Sequence, residues 1–179
     1  MENKKYEFTG VVKETWAGTL HQIRAIRDFG NVEVGDIGGW IKKEENLSHD
    51  GNCWVYENAV VYGDARVCGN ARVCGNAEVY GDAVVYGDAR VYRDARVCGN
   101  AVVYGNAVVT TITKTFGNAF IYRITVTDKH IKIGCQQHLK SEWKDFEDRK
   151  IIEMDGKQAL EFWRMFKPVL ESLGLFEEV

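Results

Sequence analysis

Residues 55–109 read VYENAV VYGDAR VCGNAR VCGNAE VYGDAV VYGDAR VYRDAR VCGNAV VYGNAV V. Valine recurs every six residues from Val55 to Val109, and alanine follows four residues after each of the first nine valines, from Ala59 to Ala107. Self-similarity at a fixed short period marks a repeat architecture. Within Ala65-Arg66-Val67-Cys68, strand alternation puts Ala65 and Val67 on one face and Arg66 and Cys68 on the other. Gly69-Asn70 then turns the chain, because glycine, and to a lesser degree Asn or Asp, tolerates positive φ. Each hexad is therefore a very short strand and a corner. Gly-Asn pairs also suit the hairpins of a meander, but strands of this length are short for a free-standing antiparallel sheet. Six residues per corner, sustained this long, favour a parallel β-helix whose strands stack one full coil apart.

The unit Val-x-Gly-Asn/Asp-Ala-x resembles the hexapeptide-repeat family. The resemblance implies a left-handed β-helix of triangular section with three hexads per coil. Handedness comes from the resemblance alone, since the general rule for parallel crossovers favours the right hand. A second resemblance lies in front of the repeats. Gly38-Gly39-Trp40, Asn46-Leu47-Ser48 and Gly51-Asn52-Cys53-Trp54-Val55 are similar to the leading segment of uncharacterised bacteriophage and prophage repeat proteins, and Ile131-Lys132-Ile133-Gly134-Cys135-Gln136-Gln137-His138 resembles their tails. This implies a phage-type origin and a capping role. Physically, an open solenoid end exposes apolar side chains and unpaired strand edges, and Trp40, Leu47 and Trp54 suit such a cap.

The expected class is mainly β, in three parts: an N-terminal β cap (1–48), the β-helix (49–120), and C-terminal strands with helices (121–179). In the cap, Tyr6–Thr9 and Leu20–Ile26 alternate as strands around a turn at Trp16-Ala17-Gly18. The glycine-punctuated stretch from Asp28 to Trp40 lacks phosphate-loop spacing and reads as a tight turn seating Trp40 on the first coil. After the repeat, Phe120–Thr127 and His130–Cys135 read as strands about an Asp128-Lys129 turn. Ser141 is placed to cap a short helix holding Trp143 and Phe146, and Asp155 starts a longer one from about Gly156 to Leu173, with Pro168 kinking or ending a segment. Its apolar stripe must bury against the lower coil or another subunit.

At 179 residues and a net charge of −3, the chain suits one body with attached elements and lacks the basic footprint of a nucleic-acid binder. No apolar run spans a bilayer and no signal peptide is read, so no membrane is expected. Five cysteines, an odd number, fit a reducing cytoplasm, the host's if the chain is phage-encoded.

An eighteen-residue coil sorts the outward residues onto three faces. The third carries Val84, Tyr86, Val102, Tyr104, Phe120 and Tyr122, an apolar strip expected to be a self-interface. A homo-oligomer follows, and the family resemblance implies a trimer. Arg72, Arg90 and Tyr92 on the first face, Arg96 on the second, and Trp143 and Trp163 in the tail are the candidate ligand-binding residues. Arginine beside aromatic rings suits a small flat anion such as a nucleotide; the alternative is a solvated face with tyrosines filling strand positions. The acyltransferase branch of the family implies a histidine base, but His21, His49, His130 and His138 all lie outside residues 55–109, and only His49 approaches the first coil. No catalytic residue is assigned. Cys135 and His138 have ligand chemistry at metal spacing without a second pair, so neither a metal site nor a cofactor is expected. The expected function is a non-catalytic oligomeric module that captures a small anionic, nucleotide-like ligand, with sequestration of a host defence signal as its use. A structural or protein-interaction scaffold and a hexapeptide acyltransferase are the alternatives.

Overall fold

This computed structural model describes residues 4–111, 114–116 and 122–177, without the side chains of 114–116. The repeat forms the two-residue strands β4 (Trp54–Val55), β5 (Val60–Val61), β6 (Arg66–Val67), β7 (Arg72–Val73), β8 (Glu78–Val79), β9 (Val84–Val85), β10 (Arg90–Val91), β11 (Arg96–Val97), β12 (Val102–Val103) and β13 (Val108–Val109). All pair in parallel with the strand three hexads away, as Arg72 with Arg90 and Val84 with Val102. This is a β-solenoid, and the parallel ladders exclude the hairpin meander. Its three sheets are β4-β7-β10-β13, β6-β9-β12, and one running from β5 through β8 to β11.

Alternation within each hexad builds the core. Every repeat valine from Val55 to Val109 and every repeat alanine from Ala59 to Ala107 is fully buried. A valine buried in this way contributes about 1.5–3 kcal/mol relative to exposure. The corners stack as closely as the strands. Gly69 has φ +68°, and a Cβ there would stand 2.9 Å from the Gly87 nitrogen directly along the stack. Glycine is required twice over, by its backbone angle and by the approach of the next corner.

The leading segment does more than cover an end: it forms an irregular coil of its own. Strand β1 (Tyr6–Thr15) pairs antiparallel with β2 (Gly18–Ala25), and β2 with β3 (Ile37–Ile41). Strand β3 then joins β5 in parallel, with Ile41 opposite Val61. Leu47 bridges Val67 in parallel, and Val55 pairs Val73. Ile41, Leu47 and Val55 thus head the three valine columns. Gly38 and Gly39 let β3 approach the stack: a Cβ on Gly38 would lie 2.6 Å from Ile23 and one on Gly39 2.6 Å from the Ala59 carbonyl. Where the bridge at Leu47 is too short to satisfy its neighbours, buried Asn46 substitutes. Its amide donates to the Gly63 and Ala65 carbonyls at 3.1 and 2.8 Å and accepts from the Lys42 and Lys43 amides. Lys5 closes the end, donating to the Gly51 and Cys53 carbonyls at 3.2 and 2.8 Å.

The chain divides into two compact units, Met1–Thr113 and Lys114–Val179. The second is an antiparallel sheet of β14 (Lys114–Phe116), β15 (Ile124–Val126), β16 (His130–Ile133) and β17 (Gln136–Leu139), followed by helices α1 (Lys140–Asp145) and α2 (Asp148–Ser172). Tyr122 belongs to this unit, and Phe120 lies outside the described residues. The buried part of the α2 stripe packs within its own unit. Phe162, Trp163, Phe166 and Leu170 share a core with Ile124, Ile131, Ile133 and Trp143 of the unit's own sheet and short helix. Helix α1 begins at Lys140 rather than after Ser141, its first turn closed by Glu142, which accepts from the Leu139 amide at 2.8 Å. The non-helical residues inside α2 are Asp155 and Gly156, so the break falls there and not at Pro168.

Candidate functional site

The six candidate ligand residues fall in three places. Arg72 and Arg90 stand side by side on β7 and β10, and Tyr92 follows Arg90 just beyond the strand, its amide bonded to the Val109 carbonyl. Arg96 belongs to another sheet, where it pairs with Glu78 at 3.8 Å. Trp143 and Trp163 are buried in the core of the second unit, their ring centres 5.1 Å apart.

Arg72 and Arg90 line a cleft of ≈ 570 Å³, open mouth included. Its other walls are Gly30, Asn31, Asn52, Asn70 and Asp88. The loop from Asp28 to Asn31 is held over the coil by the Phe29–Val32 backbone pair and by Phe29 packing on Trp54 at 5.3 Å. Asn52, Asn70 and Asp88 are one corner column, each a coil apart. Asn70 donates to the Asp88 carboxylate at 3.1 Å. Among the described residues, neither arginine makes an ion pair. The two arginines stand on adjacent rungs of one ladder, where like charges directly opposite one another are unfavourable. An anion bridging both relieves that repulsion.

Residue reading of the repeat found the arginines but not the rest of the cleft. The signal was present: positions 52, 70 and 88 follow the same eighteen-residue step as 72 and 90. The loop wall at Gly30 and Asn31 carries no such periodicity.

Burial pushes the Cys74 thiol up, Glu57 adds to this, and Arg72 and Arg90 oppose it, so the thiol is held toward its neutral form. Burial likewise raises the Tyr56 phenol, against the pull of Arg72. His49 stacks on Tyr6 at 4.3 Å, and its Nδ1 accepts from the Lys5 amide at 3.3 Å. His130 and His138 lie in the second unit. Cys135 is exposed, and among the described residues no three potential ligands cluster as a metal site would need. No helix is long and apolar enough to cross a membrane, again among the described residues. On the third face Tyr86 and Tyr104 stack at 5.3 Å and 11°, with Val84 and Val102 half-buried beside them.

Comparison with known proteins agrees with this architecture. The family described as YdcK Beta solenoid repeat matches residues 65–81, 71–87, 83–99 and 95–110. A relative from Escherichia coli (strain K12), named "Uncharacterized acetyltransferase YdcK", is 52% identical over 42 residues. That match spans 23% of this chain and only 13% of the relative. With valine columns, parallel ladders and glycine corners in one eighteen-residue register, the solenoid of this chain is of hexapeptide-repeat type and is similar to the YdcK β-solenoid repeat over residues 65–110.

Proposed function

We propose that the solenoid is a non-catalytic binding module that holds a small phosphate-bearing, nucleotide-like anion across Arg72 and Arg90. One observation carries this: two arginines in register, a coil apart, without ion-pair partners among the described residues, in a cleft walled by three asparagines and the single carboxylate of Asp88. Arginine forks bind phosphate oxygens in pairs, and the Asn31, Asn52 and Asn70 amides offer donors and acceptors to the remainder of such a ligand. The same reading joins copies of the chain through Val84, Tyr86, Val102 and Tyr104, as a trimer by family resemblance. Capture and release of an unaltered ligand, as in sequestration of a signal, is its use.

The test is calorimetry of the whole chain with cyclic dinucleotides, ADP-ribose and coenzyme A. Arg72→Ala and Arg90→Ala should each weaken binding about tenfold or more, and Asp88→Asn should strengthen it by removing a like charge from the cleft. Absence of binding to every one of these anions sinks the reading. The match to a relative named an acetyltransferase supports a second reading, in which the bound anion is acetyl-coenzyme A and is consumed. Thiol release from acetyl-coenzyme A in the presence of amine acceptors favours that reading; recovery of the ligand intact favours capture.

A further inference from the structure

The second unit holds a cleft of ≈ 370 Å³, open mouth included, between its sheet and α2. Its lining is aromatic and aliphatic: Tyr122, Trp143, Phe162, Trp163 and Ile133 contribute to the walls. Trp143 and Trp163 pack against each other with 5.1 Å between ring centres and a tilt of 39°, and Tyr122 meets Phe162 edge-on at the same distance. The enclosed depth is narrow, ≈ 30 Å³, room for a group of methyl size. One lining side chain is charged, Asp155, and its carboxylate accepts from the Tyr122 hydroxyl at 2.8 Å. The break in α2 brings it there: Asp155 and Gly156 leave helical geometry, Gly156 at φ +76°, and no atom stands where a Gly156 side chain would begin.

We infer that this cleft is a recognition site for an N-methylated ammonium group. Three features fit that chemistry together. Ring faces attract a cation by their quadrupole, most strongly when it is poorly hydrated. Methyl groups on nitrogen remove its hydrogen-bond donors, so it enters an apolar slot without leaving unsatisfied donors behind. The Asp155 carboxylate supplies the opposite charge at the rim, with lone pairs left beyond the one used by Tyr122. Among the described residues lining the slot, none is Lys, Arg or His; the Lys167 ammonium, which is not a lining residue, stands over the Trp163 ring at 5.7 Å from its centre. Lys132 lies between Ile131 and Ile133 on β16, and strand alternation turns it to the face away from the core that those two isoleucines join. The site lies wholly within the second unit and does not depend on the arginine cleft of the first.

The experiment uses the full chain and two probes of equal shape, choline and its neutral carbon analogue 3,3-dimethylbutan-1-ol. The indole N–H of Trp143, bonded to the Ile131 carbonyl at 2.7 Å, serves as an NMR reporter at the cleft wall. Choline should shift this resonance at millimolar concentration, and the neutral analogue should bind about tenfold more weakly. Asp155→Asn, at an exposed position, should lower choline affinity toward that of the analogue, while Tyr122→Phe, which leaves the carboxylate free of its hydroxyl partner, should keep it. Equal affinity for the two probes, choline binding undiminished by Asp155→Asn, or no choline binding up to about 50 mM would each overturn the assignment.

Discussion

Val84 and Val85 are neighbours of one residue type on opposite faces of β9, and one substitution tests which is inside. Val85 has no exposed surface and stands in a column between Val67 and Val103. Threonine keeps the shape of valine and exchanges one methyl group for a hydroxyl. Around Val85 the backbone is already engaged in the ladder: the Cys68 amide donates to the Val85 carbonyl and the Tyr86 amide to that of Val103. A hydroxyl left without a good partner in this column costs about 1–3 kcal/mol. At Val84, half-buried on the outer face, the hydroxyl keeps contact with water and the change stays within about 0.5 kcal/mol. Urea unfolding followed by circular dichroism reads the difference. With a slope of about 2 kcal/mol per molar urea, the midpoint of Val85→Thr should fall by about 0.5–1.5 M and that of Val84→Thr by less than about 0.3 M. Val85→Asp, an unpaired charge in the same column, should lose several times as much or fail to fold. Equal losses for the two threonine variants, or a larger loss at Val84, would refute the inside–outside assignment on which the solenoid core rests.

Two further outcomes are expected. If the third face joins copies of the chain, Tyr86→Glu with Tyr104→Glu should give a smaller species by light scattering; a wild-type chain already monomeric at micromolar concentration disposes of that interface. Burial holds the His130 and His138 imidazoles below the ordinary histidine range, with Glu142 opposing it in both. As pH falls through about 6.5 the unfolded chain therefore takes up protons before the folded one. The second unit should lose stability on acidification until the folded rings protonate, after which the loss levels off. His130→Gln with His138→Gln should flatten the dependence, and a gain in stability between about pH 7 and pH 5 would contradict it.

The solenoid was legible because its signal is redundant. Each valine column is written several times over, so the coil length, the three faces and the register of Arg72 with Arg90 follow from counting. Legibility fails where the count is interrupted. Ile41 and Leu47 are spaced like repeat valines, but the step from Leu47 to Val55 is longer, and the coil they head reads as a cap. Strand β17 was not anticipated, since Gln136-Gln137-His138 shows no apolar alternation; its pairing with β16 holds it in place. The stripe on α2 announced burial without naming the surface, because the sheet it covers is assembled from short strands of mixed pattern. The arginine cleft was half visible, its coil side periodic and its loop side not.

The eighteen-residue register makes insertions and deletions in this gene act as rotations. Removing a whole coil returns every later residue to its own column, one storey lower, and leaves core and faces intact. Removing a single hexad between Arg72 and Arg90 would also preserve the buried valines, yet everything downstream would turn onto the neighbouring face, seating Arg96 over Arg72 in place of Arg90. Stability and surface chemistry are thus uncoupled under slippage of the repeat. A lineage that gains or loses hexads can redraw which side chains stand together while its core stays the same, and length variants of such chains are comparable only after their coils have been counted.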